Sequence, residues 1–171
     1  MAKDLHVFDV RPAIQWRMWS NTQSTGHKMF LGENPPVGAI ISYYLKSALP
    51  EGQQVRIAVQ DAGGKTIRSL TGPGAAGINR VTWDTRAESP IPPGPGGPGG
   101  GGGGFFGGAA GGPRVDPGEF TVKVTAGTAE ATQKVQVQED PRVTMTAAER
   151  TARRSALDKL MPLAGPITTA Q

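Results

Sequence analysis

The sequence predicts an all-β protein, an antiparallel β-sandwich of about seven strands. Three observations predict this class. Short runs alternate apolar with polar residues, glycine-containing turns separate those runs, and only the C-terminus shows a helical pattern. A long Gly-rich loop and a short C-terminal helix complete the predicted architecture.

The N-terminal part of the chain supplies the first strand candidates. The run LHVFDV, residues 5–10, places Leu5 and Val7 on one face at period two. Pro12 argues against a central strand in the segment that follows. The pair Pro35–Pro36 then favours an extended entry into AIISYYL, a β-branched and aromatic run of strand length.

The clearest alternation lies in the middle of the chain. QVRIAVQD and KTIRSL flank the turn DAGGK, whose glycines allow the positive φ that a tight hairpin needs. GINRVTWD supplies Ile78, Val81 and Trp83, and EFTVKVTA and TQKVQVQ continue the alternation. The predicted core residues are Val55, Ile57, Val59, Ile67, Val81, Trp83, Phe120, Val122 and Val124.

The C-terminal segment TAAERTARRSALDKLM has the helical pattern. Thr146 and Glu149 form a capping box at its start. Pro162 and Gly165 are predicted to end the helix. The predicted organisation is an N-terminal linker and strand segment over 1–36, a sandwich over 37–140 with a Gly/Pro-rich inserted loop over 91–115, and a helical tail over 141–171.

The inserted loop is the least ordinary segment. Thirteen of the 25 glycines lie between Gly94 and Gly112, so its composition invites a phosphate-loop or collagen interpretation. A phosphate loop opens a helix and carries a lysine, whereas this tract has no lysine and precedes a strand. Collagen needs glycine at every third position, and Phe106 breaks that frame. A tolerated insertion remains, in which Phe105 and Phe106 need a surface to pack against.

Charge and composition exclude several function classes. The formal net charge is +4, but most Lys and Arg residues are scattered, which indicates a solvated surface rather than a nucleic-acid track. The one basic cluster in the sequence is Arg150, Arg153 and Arg154. Cysteine is absent, and His6 and His27 do not pair with other ligands at metal-binding spacing. The sequence therefore predicts no metal, no cofactor and no catalytic residue, and no run long enough to span a membrane.

The aromatic residues outside the alternating strands form the candidate interface. Trp16 and Trp19 lie three apart in an irregular segment, where they serve either packing and interdomain contact or a sugar-binding platform. The full set of candidate interface residues is Val7, Phe8, Trp16, Trp19, Phe105 and Phe106.

Two segments resemble a known module. GKTIRSLTGPGAAGINRVTWDTR and VDPGEFTVKVTA resemble the immunoglobulin-like module of the flagellar hook-capping type, which reads G-x-x-(V/I)-R-x-L, a glycine turn, an apolar-x-W-D strand and P-x-G-x-(Y/F)-x-(V/L). The matching positions are Gly64, Ile67, Arg68, Leu70, Gly77, Val81, Trp83, Asp84, Pro117, Gly118, Phe120 and Val122. The resemblance implies that the predicted sandwich is immunoglobulin-like.

A second resemblance covers roughly residues 4–150. LHVFDVRPAIQW, GENPPVGAIISYYLK and EDPRV are similar to the C-terminal region of large secreted bacterial proteins with BNR-repeat, sortilin-type β-propellers, often labelled glycosyl hydrolases. In that family the ligand surfaces belong to the propeller, so the resemblance carries over no catalytic residue. It implies a non-catalytic sandwich beside a propeller, located outside the cell or in the cell envelope.

The sequence leaves three functions open. The first is a non-catalytic accessory module that contacts protein, either an upstream β-propeller domain or other copies of itself. The second is a self-assembling extracellular filament subunit that uses strand addition or the Gly-rich loop. The third is a carbohydrate-binding module that uses exposed aromatic residues.

Overall fold

The structure is a computed structural model, and it describes residues 4–17, 36–89 and 112–169, with side chains to residue 162. Trp19, Phe105 and Phe106 lie outside the described residues. The elements are β1 Leu5–Val7, β2 Ala13–Gln15, β3 Ala39–Leu45, β4 Val55–Gln60, β5 Thr66–Gly72, β6 Gly77–Trp83, β7 Gly118–Ala126, β8 Ala129–Glu139 and α1 Ala147–Thr169. The predicted all-β class is confirmed.

The strands form two sheets. One is three-stranded, in the order β1-β3-β6, and the other is five-stranded, in the order β2-β8-β7-β4-β5. All strand pairs are antiparallel except β2 with β8, which is parallel. The arrangement is consistent with a β-sandwich, because residues from both sheets share one buried cluster.

The core lies between the two sheets and follows the period-two pattern. Trp83 of the three-stranded sheet meets Phe120 of the five-stranded sheet edge to face, with ring centroids 5.4 Å apart. The Trp83 indole Nε1 donates a hydrogen bond to the Arg86 carbonyl at 2.9 Å, so this buried polar atom is satisfied. The predicted core residues that are buried are Val55, Ile57, Val59, Trp83, Phe120, Val122 and Val124, whereas Ile67 and Val81 are partly buried against them.

Residues 5–15 of the N-terminal segment contribute a strand to each sheet. β1 pairs antiparallel with β3, and after a short crossing β2 pairs parallel with β8. β2 is the strand that the sequence did not predict, because Pro12 argues against a central strand. The structure places it at a sheet edge, directly after Pro12, where a missing N–H costs the sheet little.

The Gly-rich insertion is closed at its base by a short antiparallel ladder. The amide of Ala87 donates to the Pro113 carbonyl at 2.9 Å, and the amide of Gly112 donates back to the Ala87 carbonyl at 2.9 Å. The amide of Val115 donates to the carbonyl of Thr85 at 3.0 Å. We call residues 85–88 and 112–115 the loop stem. A Cβ on Gly112 would collide with the carbonyl of Glu88, so the stem requires glycine there.

Helix α1 begins as predicted but extends further. The Thr146 amide donates to the Glu149 carboxylate at 2.7 Å and the Glu149 amide to the Thr146 hydroxyl at 3.3 Å, which confirms the capping box. The predicted end at Pro162 is wrong, since the helix runs to Thr169. Pro162 removes one backbone donor, and Asp158, whose carbonyl is freed, is an exposed residue. Ion pairs Arg150–Glu139 at 2.7 Å and Arg154–Asp116 at 3.1 Å tie the helix to the sheet.

Candidate functional site

The outer surface of the three-stranded sheet carries apolar and aromatic side chains. Strand β3 buries Ala39, Ile41, Tyr43 and Leu45, so the residues between them point away from the core. Leu5 and Val7 of β1 are likewise buried. The outward side chains of interest are His6, Phe8, Ile40, Tyr44 and Ile78, and we call this set the apolar face.

The strand register brings these side chains into rows across the sheet. His6 is paired with Tyr44, and Tyr44 is paired with Ile78 on its other side. Phe8 continues the ladder beyond β1, because its amide donates to the Ser42 carbonyl at 3.0 Å. The His6 and Phe8 rings meet at right angles, with centroids 4.9 Å apart. Directly opposed side chains in a sheet contact one another, so His6, Tyr44 and Ile78 form one row of the apolar face. Ser42 and Arg80 are paired in the next row, beside Phe8, and Ile40 is paired with Thr82 beyond them.

Exposure distinguishes this face from ordinary surface. Ile78 is 71% exposed and Phe8 is 37% exposed, although both are large apolar side chains. A single exposed Ile needs no explanation, but an exposed row rich in aromatic and aliphatic groups is typical of an interaction surface. Phe8 was among the predicted interface residues, whereas Ile78, Tyr44, Ile40 and His6 were not. The sequence signal that would have identified Ile78 is its position in the period-two alternation of β6. Ile78 is an odd number of positions from Val81 and so lies on the opposite side of β6.

The outer surface of the five-stranded sheet is polar. A shallow groove of about 540 Å³ crosses it. The polar residues that line the groove are Arg56, Gln60, Thr66, Ser69, Thr71, Lys123, Thr125 and Glu130. Lys123 and Glu130 form an ion pair at 3.0 Å. We call this surface the polar face. Ile57, Ala58 and Leu70 also line the groove, and Arg56 forms no ion pair within the described residues.

Trp16, a predicted interface residue, lies just beyond β2 and is 38% exposed. The Arg142 guanidinium lies over its ring, 5.6 Å from the centroid. One face of the ring is therefore occupied by a cation of the same chain. This contact reduces the area that Trp16 could offer to a sugar.

Asp140 organises the surroundings of Trp16. Its side chain is 1% exposed, and it accepts the Arg17 amide at 2.9 Å, the Arg142 amide at 3.0 Å and the Arg142 guanidinium at 2.6 Å. The Arg142 Nη2 also donates to the Arg17 carbonyl at 3.1 Å. The hydrogen bonds from Arg142 hold the pKa of Asp140 well below its ordinary value. The group is a structural anchor that joins the end of β8 to the segment after β2.

The remaining predicted site residues have varied positions. Val7 is 6% exposed and belongs to the core cluster, opposite Tyr43. Trp19, Phe105 and Phe106 fall outside the described residues. Within the described ranges, the structure brings together no group of three His, Asp or Glu residues that could hold a metal. In that same part of the chain, helix α1 lacks the apolar length needed to cross a bilayer.

The comparisons with known proteins give no neighbour. No family model, no curated protein and no solved structure matches this chain.

Proposed function

We propose that this chain is a non-catalytic β-sandwich module that holds another protein domain against its apolar face. The observation that carries the proposal is the exposed Ile78 and Phe8, with the partly exposed Tyr44 and the exposed His6 beside them. Burying one Phe or Ile side chain contributes about 1.5–3 kcal/mol, so a few such groups favour association. Arg80 lies beside them on β6 and supplies a polar rim.

An immunoglobulin-like arrangement of the sandwich is part of the proposal. The strand order favours it, because β3 neighbours β6 and β4 neighbours β7, so the chain crosses between sheets as in Greek-key connections. The N-terminal segment contributes one strand to each sheet. In such modules the sheet surfaces and the end loops both serve as contact sites for other domains.

The proposed partner is a folded protein domain with an apolar surface patch, such as a β-propeller domain encoded with this chain. Rings on the apolar face provide contact area at low entropic cost, and the imidazole of His6 and the hydroxyl of Tyr44 provide hydrogen bonds at its margin. The location that goes with this function is outside the cell or in the cell envelope.

The proposal is tested by crosslinking and then by affinity. A photo-crosslinking amino acid is placed at Ile78, and at Thr132 as the control on the polar face. Ile78 and Thr132 are both exposed strand residues, and they point away from the core on opposite sheets. In cells of the source organism, Ile78 should capture one defined protein that Thr132 does not.

The captured protein is then purified and its affinity measured against wild type, Ile78→Glu and Thr132→Glu. Ile78→Glu should weaken binding about tenfold or more, whereas Thr132→Glu should leave it unchanged. Both variants should keep the free energy of unfolding within about 0.5 kcal/mol of wild type, because both side chains are exposed. Equal affinity of the two variants would overturn the proposal.

Self-assembly through the same face is the alternative outcome. Light scattering should then give a mass that is a multiple of the 17.8 kDa chain, and Ile78→Glu should return it to one chain. A carbohydrate ligand would instead show as glycan-array binding that Trp16→Ala abolishes and Ile78→Glu preserves.

A further inference from the structure

Two arginines are paired in the loop stem, and the charges of two further arginines act on one of them. Arg86 and Arg114 lie in the stem, Arg17 follows β2, and Arg153 lies on the first turns of α1. We call these four residues the arginine cluster. Because the four residues are far apart in the sequence, the cluster is not visible among the scattered basic residues of the chain. The fold creates a concentration of positive charge that the sequence does not display.

The geometry of the stem places two of these charges opposite each other. Arg86 and Arg114 are partners in an isolated antiparallel β-bridge. Directly opposed like charges destabilise a strand pair, and the destabilisation is removed when an anion lies between them. The two opposed guanidinium groups therefore repel each other, and a bound anion would relieve that repulsion.

The hydrogen bonds of the cluster do not neutralise it. Arg86 Nη1 donates to the Gly112 carbonyl at 3.1 Å. Arg114 Nη1 donates to the Gln15 carbonyl at 3.1 Å, and Nη1 and Nη2 both lie 3.3 Å from the Trp16 carbonyl. These acceptors are neutral. Each guanidinium carries five N–H donors, so donors remain for a further acceptor.

Neighbouring arginines behave differently. Arg142, Arg150 and Arg154 each form an ion pair with a carboxylate. Within residues 4–17, 36–89 and 112–162, none of the four cluster arginines does so. Two carboxylates lie beside the cluster: Asp84 accepts the backbone amide of Arg86 at 3.1 Å, and Asp140 accepts the backbone amide of Arg17 at 2.9 Å. The four positive charges of the cluster thus outnumber these two carboxylates.

The cluster residues act on one another electrostatically. Burial lowers the pKa of Arg114 first, and the positive charges of Arg86, Arg153 and Arg17 lower it further. Asp84 opposes them with a smaller effect. These electrostatic effects agree with the β-bridge, which places Arg86 and Arg114 opposite each other.

We propose that the arginine cluster binds a tetrahedral oxyanion, a phosphate or sulfate group. A planar guanidinium matches the spacing of two oxygens on such a group, and several guanidiniums favour a dianion over chloride or a single carboxylate. The site lies at the stem of the Gly-rich loop, so an occupied site stabilises the stem. The inference is independent of protein binding by the apolar face.

Binding is measured with inorganic phosphate by calorimetry and by amide chemical shifts, at constant ionic strength set with chloride. Wild type should show saturable binding, with shifts concentrated at residues 86 and 112–114. Arg153→Gln is the first variant, because Arg153 is exposed and its loss should not affect folding. It should raise the Kd about threefold or more, and the double variant Arg86→Gln with Arg153→Gln about tenfold or more.

Arg56→Gln on the polar face is the matched control, and it should leave the Kd unchanged. The proposal is overturned if phosphate does not saturate, or if Arg56→Gln weakens binding as much as Arg153→Gln. A second arm uses a sulfated oligosaccharide derived from heparin. Tighter binding with the same dependence on Arg153 assigns the oxyanion to a polymer, and equal affinity per group assigns it to a free solute.

Discussion

The two outer faces of the sandwich have the same backbone pattern and opposite chemistry. On β3 the outward positions are Ile40, Ser42 and Tyr44, whereas on β7 they are Thr121, Lys123 and Thr125. The alternation that buries the inner residues places no demand on the outer ones. The outward residues can therefore differ between the sheets, and here β3 places Ile40 and Tyr44 outward whereas β7 places no large apolar side chain there.

The two faces also differ in the ion pairs that they carry. The polar face carries the ion pairs Lys123–Glu130 at 3.0 Å and Lys134–Glu119 at 2.7 Å. In the described chain, the three-stranded sheet has one ion pair at its edge, Lys46–Asp4 at 3.6 Å, and none across the apolar face. A surface of paired charges resists burial against a partner, whereas an apolar surface favours it.

The largest expected effect separates inner from outer positions on one strand. Tyr43→Ala should lower the free energy of unfolding by about 3–5 kcal/mol, because the ring is fully buried. Burial also raises the pKa of Tyr43 to about 12, and its hydroxyl donates to the Pro73 carbonyl at 2.7 Å. Tyr44→Ala, one residue away on the outer surface, should cost less than about 1.5 kcal/mol.

Denaturant unfolding of the two tyrosine variants measures the difference. Similar losses for both would mean that Tyr44 also supports the core, and the apolar face would no longer be a surface free for a partner.

A smaller effect is expected at the end of the five-stranded sheet, in acid. The pKa of Asp140 is lowered by Arg142, so its stabilising contribution is complete above the ordinary value of 3.8 and is lost as the pH falls below it. Wild type should therefore lose Tm steeply below about pH 4. Asp140→Asn should lower the Tm at neutral pH, and its Tm should fall less than that of wild type as the pH drops below about 4.

Circular dichroism melts across this pH range test the assignment. Asp4→Asn is the control, because that carboxylate is 80% exposed and its partner Lys46 lies 3.6 Å away. If the Tm of Asp140→Asn falls in acid as steeply as that of wild type, other carboxylates control the loss of stability at low pH.

The smallest effect is expected on the polar face. Removing the Lys123–Glu130 pair should cost about 0.2–1 kcal/mol in a double-mutant cycle with Lys123→Gln and Glu130→Gln. High salt should reduce the coupling, since both side chains are partly exposed. A coupling energy above about 2 kcal/mol, insensitive to salt, would contradict the view that this face contributes little to stability.

Much of the fold could be predicted because the inner residues alternate strictly. Val55, Ile57 and Val59 predict β4, and Phe120, Val122 and Val124 predict β7, since period two leaves only one face for a core. β2 could not be predicted in this way. It has three residues, follows Pro12, and forms only because β8 offers an edge from a distant part of the sequence.

The candidate sites required tertiary information to different degrees. Phe8 was identified from its apolar character, and the phase of Ile78 against Val81 would have placed it outward. The arginine cluster had no sequence signal, because Arg17, Arg86 and Arg114 meet only after the strands pair. Nor did the sequence indicate that helix α1 continues past Pro162, since water can satisfy the carbonyl that proline leaves free.

The loop stem is a position at which the chain can be lengthened or opened. Ala87 and Gly112 are hydrogen-bonded at the end of one ladder, so the ladder itself sets no length for the residues between them. Doubling the length of that join costs only about 0.6 kcal/mol of closure entropy. A foreign peptide or a whole domain could be inserted there, or new chain termini opened, while the sheets on either side keep their register.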